Sequence, residues 1–141
     1  MAISFRYKSV KRPDGSLVKS PSVPITMIGK SMRFDTAALI DSGADISAIP
    51  KDIAELIGLN LDKPVTSAYG IGGKVDSIQT TMNIILEKGH EKYDLILPVN
   101  VIMGKYDFPV LLGRTGFFDK FTILFDQKSG KIVLKRAQDL K

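Results

Sequence analysis

A carboxylate lies at an unusual point of the sequence, between the apolar run Ala37–Ile40 and the turn sequence Ser42-Gly43. The residue at this junction is Asp41. Burying an unpaired carboxylate is costly, so such a group normally has a partner or a chemical role. Two carboxylates about 3 Å apart share one proton, and one can then activate a water while the other polarises a carbonyl group. The pattern therefore predicts amide hydrolysis if a second carboxylate faces Asp41.

The chain does not repeat this sequence. The nearest candidate, Asp35-Thr36-Ala37, lacks the glycine and lies upstream on the same predicted strand. Gly43 would let two backbones approach closely, and the Ser42 hydroxyl could bond to its counterpart. A two-fold homodimer supplies a second Asp41 automatically, so we expect two chains to form one site.

Other catalytic chemistries lack the residues they need. The chain has no Cys, which excludes disulfides, thiolate metal sites and cysteine nucleophiles. Its single histidine, His90, lies in the polar segment Glu87–Lys92, which is typical of a hairpin tip and favours a structural surface residue over a catalytic base. We therefore expect neither serine–histidine nor metal–histidine chemistry.

Composition indicates one soluble domain. The 141 residues are 44% hydrophobic and 25% charged, and 20 basic against 15 acidic residues give a net charge of +5. The basic residues are scattered and not interleaved with aromatics, so nucleic-acid binding stays open but unsupported. No run approaches the ~18 apolar residues of a membrane span, and the first residues lack a signal-peptide pattern. We expect a cytoplasmic protein without a membrane partner.

Short apolar runs between turn residues predict a mainly β protein. The expected strands and hairpins are Phe5–Val10, Ile25–Ile28, Met32–Ile40, a hairpin over Val65–Ile78, Thr81–Leu86, Tyr93–Met103, and a last hairpin of Phe121–Phe125 with Ile132–Leu134. A helix is expected after Pro50, ending at Gly58, and Val110–Phe118 suits a short helix or helical turn. The phenylalanines expected in the core are Phe117, Phe118, Phe121 and Phe125.

Three blocks, in this order, resemble those of the retropepsin-like aspartic proteases. They are Leu39–Asp45, Gly70–Gly73 and Val110–Arg114. The resemblance covers about residues 25–134 and implies a closed-barrel-like, mainly β fold with one or two short helices. It also implies a homodimeric endopeptidase that acts on extended polypeptides without a cofactor. Residues 1–24 would be an N-terminal extension or extra hairpin, and residues 135–141 a charged tail.

The resemblance assigns roles by position. Asp41 would be the catalytic aspartate, one per chain, and Asp45 would pair with Arg114 to fix the loop. The active-site loop and substrate contacts would come from Ser42, Gly43, Ala44 and Asp45. A flap, whose Ile71 amide would hold a water over the peptide, would consist of Tyr69, Gly70, Ile71, Gly72 and Gly73. We expect the positive φ of such a tip at Gly72.

The chain is longer at its start than a retroviral protease, two further features depart from the family pattern, and two alternatives are open. Lys74 stands where retroviral flaps often carry an apolar residue, and the last segment is charged where an apolar terminal strand would interleave between subunits. The alternatives are a catalytically silent relative that binds peptides in the same groove, and a small basic β-barrel that binds nucleic acid.

Overall fold

A computed structural model of the protein describes residues 2–137. This part of the chain contains twelve strands, one α-helix and one 3-10 turn, so the predicted mainly β fold is confirmed. The elements are β1 (Ala2–Arg6), β2 (Lys8–Lys11), β3 (Leu17–Ser20), β4 (Ser22–Ile28), β5 (Arg33–Ile40), β6 (Ser47–Pro50), α1 (Lys51–Ile57), β7 (Val65–Gly70), β8 (Gly73–Lys88), β9 (Glu91–Ile102), β10 (Val110–Leu112), the 3-10 turn (Phe118–Lys120), β11 (Phe121–Asp126) and β12 (Lys131–Arg136).

A seven-stranded sheet forms most of the molecule. Its strand order is β4-β5-β10-β6-β9-β8-β7, and β4 also pairs with β8 through Thr26–Ile28 and Asn83–Ile85. This extra pairing closes the sheet on itself, as the barrel-like prediction requires. Alternate residues of the strands face inward, and the interior is filled by fully buried side chains such as Met27, Ile84 and Leu97.

Strand β10 lies between β5 and β6, the two strands that the Asp41 segment connects. It is parallel to β5, with Leu112 opposite Ile40, and antiparallel to β6, with Leu111 opposite Ala48. The segment 41–46 must therefore cross the end of β10 on its way from β5 to β6. Because of this topology, the Asp41 loop packs against the end of strand β10.

The two ends of the described chain meet in a second sheet of order β1-β12-β11. Ile3, Phe5 and Tyr7 are buried beside this sheet, whereas β2 and β3 form a separate, exposed hairpin. The division of the chain at residues 24 and 134 stays a prediction. Residues 138–141 of the predicted tail lie outside the described residues.

The predicted helix is confirmed as α1, Lys51–Ile57. It follows Pro50 and buries Ala54 and Ile57. Gly58 ends it with φ 82°, a left-handed conformation in which its N–H bonds back to the last turn. The hairpins around Gly72, His90 and Ser129 are also confirmed.

Three local predictions are wrong. Val110–Phe118 is not a helix, because Val110–Leu112 is strand β10 and only Phe118–Lys120 forms a 3-10 turn. Phe5–Val10 is not one strand but two, which break at Tyr7 to join different sheets. Phe125 is 39% exposed on β11, although Phe117 and Phe121 are in the core and Phe118 packs partly buried against it.

The two predicted segments Val65–Ile78 and Thr81–Leu86 also join differently. Strand β8 runs without a break for 16 residues from the hairpin tip at Gly73 to Lys88. A continuous strand therefore connects the tip to the barrel wall. No helix in residues 2–137 has the length and apolar character needed to cross a membrane.

Candidate active site

The loop that carries Asp41 is fixed by main-chain hydrogen bonds. The Asp41 N–H donates to the Leu112 carbonyl oxygen at 3.0 Å, which continues the β5–β10 ladder by one residue. The Asp41 carbonyl oxygen accepts from Ala44 N at 3.2 Å and closes a turn. One carboxylate oxygen, Oδ1, accepts from the Gly43 N–H at 2.9 Å. Asp41 is thus half-buried and oriented, while Ser42 and Gly43 are exposed.

The segment after β10 packs directly beneath this loop. Arg114 N donates to Ala44 O at 2.9 Å, and Thr115 N donates to Asp45 O at 2.8 Å. Gly113 N donates to the hydroxyl of the fully buried Ser47 at 2.9 Å. These bonds run from three consecutive residues and hold the loop along most of its length.

Position 113 requires a glycine because a side chain would not fit there, and not because of its φ angle. A Cβ at this position would lie 2.7 Å from the carbonyl carbon of Ile46 and 2.9 Å from both Ala44 O and Ser47 N. All three atoms are main chain, so nothing can rotate away. The glycine of the predicted block therefore allows the strand end and the loop to touch.

Arg114 contacts the loop at two points. Its Nη1 donates to the Ser42 carbonyl oxygen at 2.6 Å, and its Nη2 lies 3.8 Å from Asp45 Oδ1. The Arg114 side chain is 50% exposed and the Asp45 side chain 76%. The ion pair is therefore screened by solvent and adds little to the stability of the loop. The shorter bond to Ser42 is the stronger contact, and it fixes the residue next to Asp41.

The predicted flap is a hairpin that extends beyond the barrel. Gly70 pairs with Gly73, and Ile71 and Gly72 form the turn between them. Tyr69 is 81% exposed and Ile71 is fully exposed. Added Cβ atoms at Gly70, Gly72 and Gly73 would meet nothing within 4 Å.

The positive φ of the tip is at Gly73, at 113°, and not at Gly72 as expected. The hairpin is anchored at its base, where Met103 N donates to Asp76 O at 3.0 Å and the ladder of β8 with β9 begins at Ser77. Residues 65–76 therefore form an arm without support from β9.

The structure brings together two of the three sequence blocks, residues 41–45 and 113–114, and leaves the 70–73 turn in solvent. Sequence reasoning missed Ser47 and Thr115. Thr115 could have been suspected because it follows Arg114, and its hydroxyl donates to Asp45 Oδ1 at 3.3 Å. Nothing in the sequence marks Ser47. In residues 2–137, no three His, Asp or Glu side chains are grouped to hold a metal ion.

A solved structure with the same architecture is the retropepsin-like aspartic protease from Rickettsia conorii. It aligns over 95% of this chain and 91% of its own, with a TM-score of 0.59 and 17% sequence identity. The chain has the retropepsin-like fold. This confirms the resemblance that the three sequence blocks indicated and the predicted fold class.

A second solved structure matches with lower similarity. The EIAV protease complexed with the inhibitor HBY-793 aligns over 68% of this chain and 83% of its own, with 18% identity and a TM-score of 0.40. No protein-family model and no curated protein matches the sequence. At these identities the comparison shows the retropepsin-like fold, and the activity must be argued from the site.

Proposed function

We propose that the protein is a homodimeric aspartic endopeptidase in which one Asp41 from each chain activates the hydrolytic water. The observation that carries the proposal is the half-buried Asp41, held at the end of β5 by its bonds to Leu112 and Gly43. A retropepsin-like fold supports the same conclusion. A group held this rigidly next to an exposed Ser42 is suited to face an identical loop across a two-fold axis.

The chemistry requires two carboxylates that share one proton. In the dimer, one Asp41 carboxylate would accept a proton from water as it attacks the scissile carbonyl carbon. The protonated partner would donate a hydrogen bond to the carbonyl oxygen and then its proton toward the leaving amine. The net reaction consumes one water and restores the shared proton.

The exposed hairpin at residues 69–73 supports the proposal that the substrate is a polypeptide. An extended peptide between the two loops would lie beneath residues 69–73, and the main-chain groups of the tip could bond to its backbone. The side chains of Tyr69 and Ile71, which are exposed to water in the free chain, would then make apolar contacts with the peptide. The bound segment is therefore expected to carry apolar residues near the cleaved bond.

The rival function is a silent relative that binds peptides in the same groove. An unfolded protein substrate, such as carboxymethylated casein, distinguishes the two when it is incubated with the wild type and with Asp41→Asn. Cleavage by the wild type and a loss of about 10²–10⁴-fold in the variant support the peptidase. Equal binding of a substrate peptide by both proteins, with no cleavage by either, would support the silent relative.

A further inference from the structure

A groove of about 360 Å³ lies on the barrel wall and shares no residue with the Asp41 loop, the flap or Arg114. It is formed where the β4–β5 turn and the segment after α1 meet strands β8 and β9. Its volume lies within the range of small-ligand sites and would accommodate about two amino-acid residues.

The charge of the groove is one-sided. Lys30 and Lys63 line it, and none of the twelve described residues that line it is Asp or Glu. Both lysines are exposed, so their ammonium groups can turn toward a bound group. Asn60 is beside them, and its Oδ1 accepts from Asp62 N at 3.0 Å, which leaves its amide nitrogen to donate elsewhere. This end of the groove favours an anion.

The other lining groups include an amide oxygen without a partner and several apolar side chains. The Asn83 Oδ1 atom is buried and has no hydrogen-bond partner among residues 2–137. A buried acceptor without a partner destabilises a protein, and because this atom is closed to solvent, the Asn83 amide must rotate toward the groove before a ligand N–H can bond to it. Ile28 and Leu59 are partly buried beside it, and Ile96 is 72% exposed on β9.

We propose that this groove binds the C-terminal end of a peptide whose last residue is apolar. The carboxylate would pair with Lys30 and Lys63, and the apolar side chain would cover Ile96. The last peptide N–H would donate to Asn83 Oδ1 once the Asn83 amide has rotated toward the groove. The charged end, the amide oxygen and the exposed apolar side chain of the groove then each have a partner on the ligand. The proposal does not depend on peptidase activity.

N-acetyl-leucine is a suitable probe, because it carries the carboxylate, the N–H and an apolar side chain. Amide NMR shifts of the full chain should change saturably at residues 28–30, 58–63 and 80–83, with a Kd in the range of about 0.1–10 mM. N-acetyl-leucinamide, which lacks the charge, should bind about tenfold more weakly or not at all. Asp41→Asn protein should give the same titration as the wild type.

Two variants test the contacts. The double variant Lys30→Gln with Lys63→Gln should weaken binding at least about fivefold, whereas Lys128→Gln, an exposed lysine outside the groove, should not. Asn83→Leu removes the unpaired acceptor, so it should weaken binding while the protein keeps or gains thermal stability. Equal binding of the acid and the amide, shifts that do not saturate, or unchanged affinity in the double lysine variant would overturn the proposal.

Discussion

The Arg114 guanidinium donates to the Ser42 carbonyl oxygen at 2.6 Å, and this bond connects the end of β10 to the residue next to Asp41. It joins positions 72 residues apart in the chain. The partner carboxylate, Asp45, is further away and mostly exposed. Arg114 therefore acts on the loop mainly through a main-chain carbonyl.

Arg114→Ala should loosen the loop more than it destabilises the fold. The loss of a partly exposed, charge-assisted bond should lower the free energy of unfolding by about 1–2 kcal/mol and reduce peptidase activity further, because Asp41 would lose its orientation. Thermal unfolding and turnover of the same preparations measure both effects. Asp45→Asn is the matched control, since it removes the ion pair and keeps the bond to Ser42. An equal loss of activity in the two variants would assign the role to the ion pair.

Gly113→Ala should be severely destabilising. The added methyl group would lie 2.7–2.9 Å from main-chain atoms of Ile46, Ala44 and Ser47, so the loop and β10 would have to separate. We expect a loss of about 2–4 kcal/mol in chemical denaturation. Gly70→Ala is the control, because its added atom meets nothing within 4 Å. A Gly113→Ala protein with wild-type stability would contradict the close approach described for the loop.

Gly73→Val should impair turnover more than folding. Gly73 has φ 113°, which a β-branched residue resists, and no atom lies near its missing Cβ. Because the tip packs against nothing in the described part of the chain, it can change shape to relieve the strain. The unfolding midpoint should therefore change little. Gly72→Val, at the neighbouring position without a positive φ, should be milder. Hydrogen exchange at residues 69–74 should slow when a peptide-like inhibitor binds, and equal protection with and without inhibitor would make the tip a rigid turn.

Peptidase activity should be greatest in mildly acidic solution. In the proposed dimer, a rise in pH would remove the proton that the two carboxylates must share, and their mutual repulsion would also weaken the dimer. The rate of casein cleavage should therefore fall between about pH 6 and pH 9. A rate that rises throughout this range would point to a different catalytic base.

Local sequence signals predicted the hairpins, α1 and the Asp41 loop well, because turn residues such as Gly58 determine their own backbone conformation. They failed at Val110–Phe118. An apolar run followed by Gly-Arg satisfies a helix or a buried strand equally, and pairing with β5 and β6 decides for the strand. Ser47 was missed for a related reason: its role depends on Gly113, which is 66 residues away.

In the proposed dimer one active site needs Asp41 from two chains, and subunit mixing tests this requirement directly. Wild-type protein is equilibrated with increasing amounts of inactive Asp41→Asn protein, above the dimer dissociation constant. If each site needs two intact carboxylates, activity per wild-type chain should halve at an equal mixture and fall to about one tenth at a ninefold excess, because mixed dimers are inactive. Activity that stays constant per wild-type chain, with mixed dimers shown to form, would contradict the shared site.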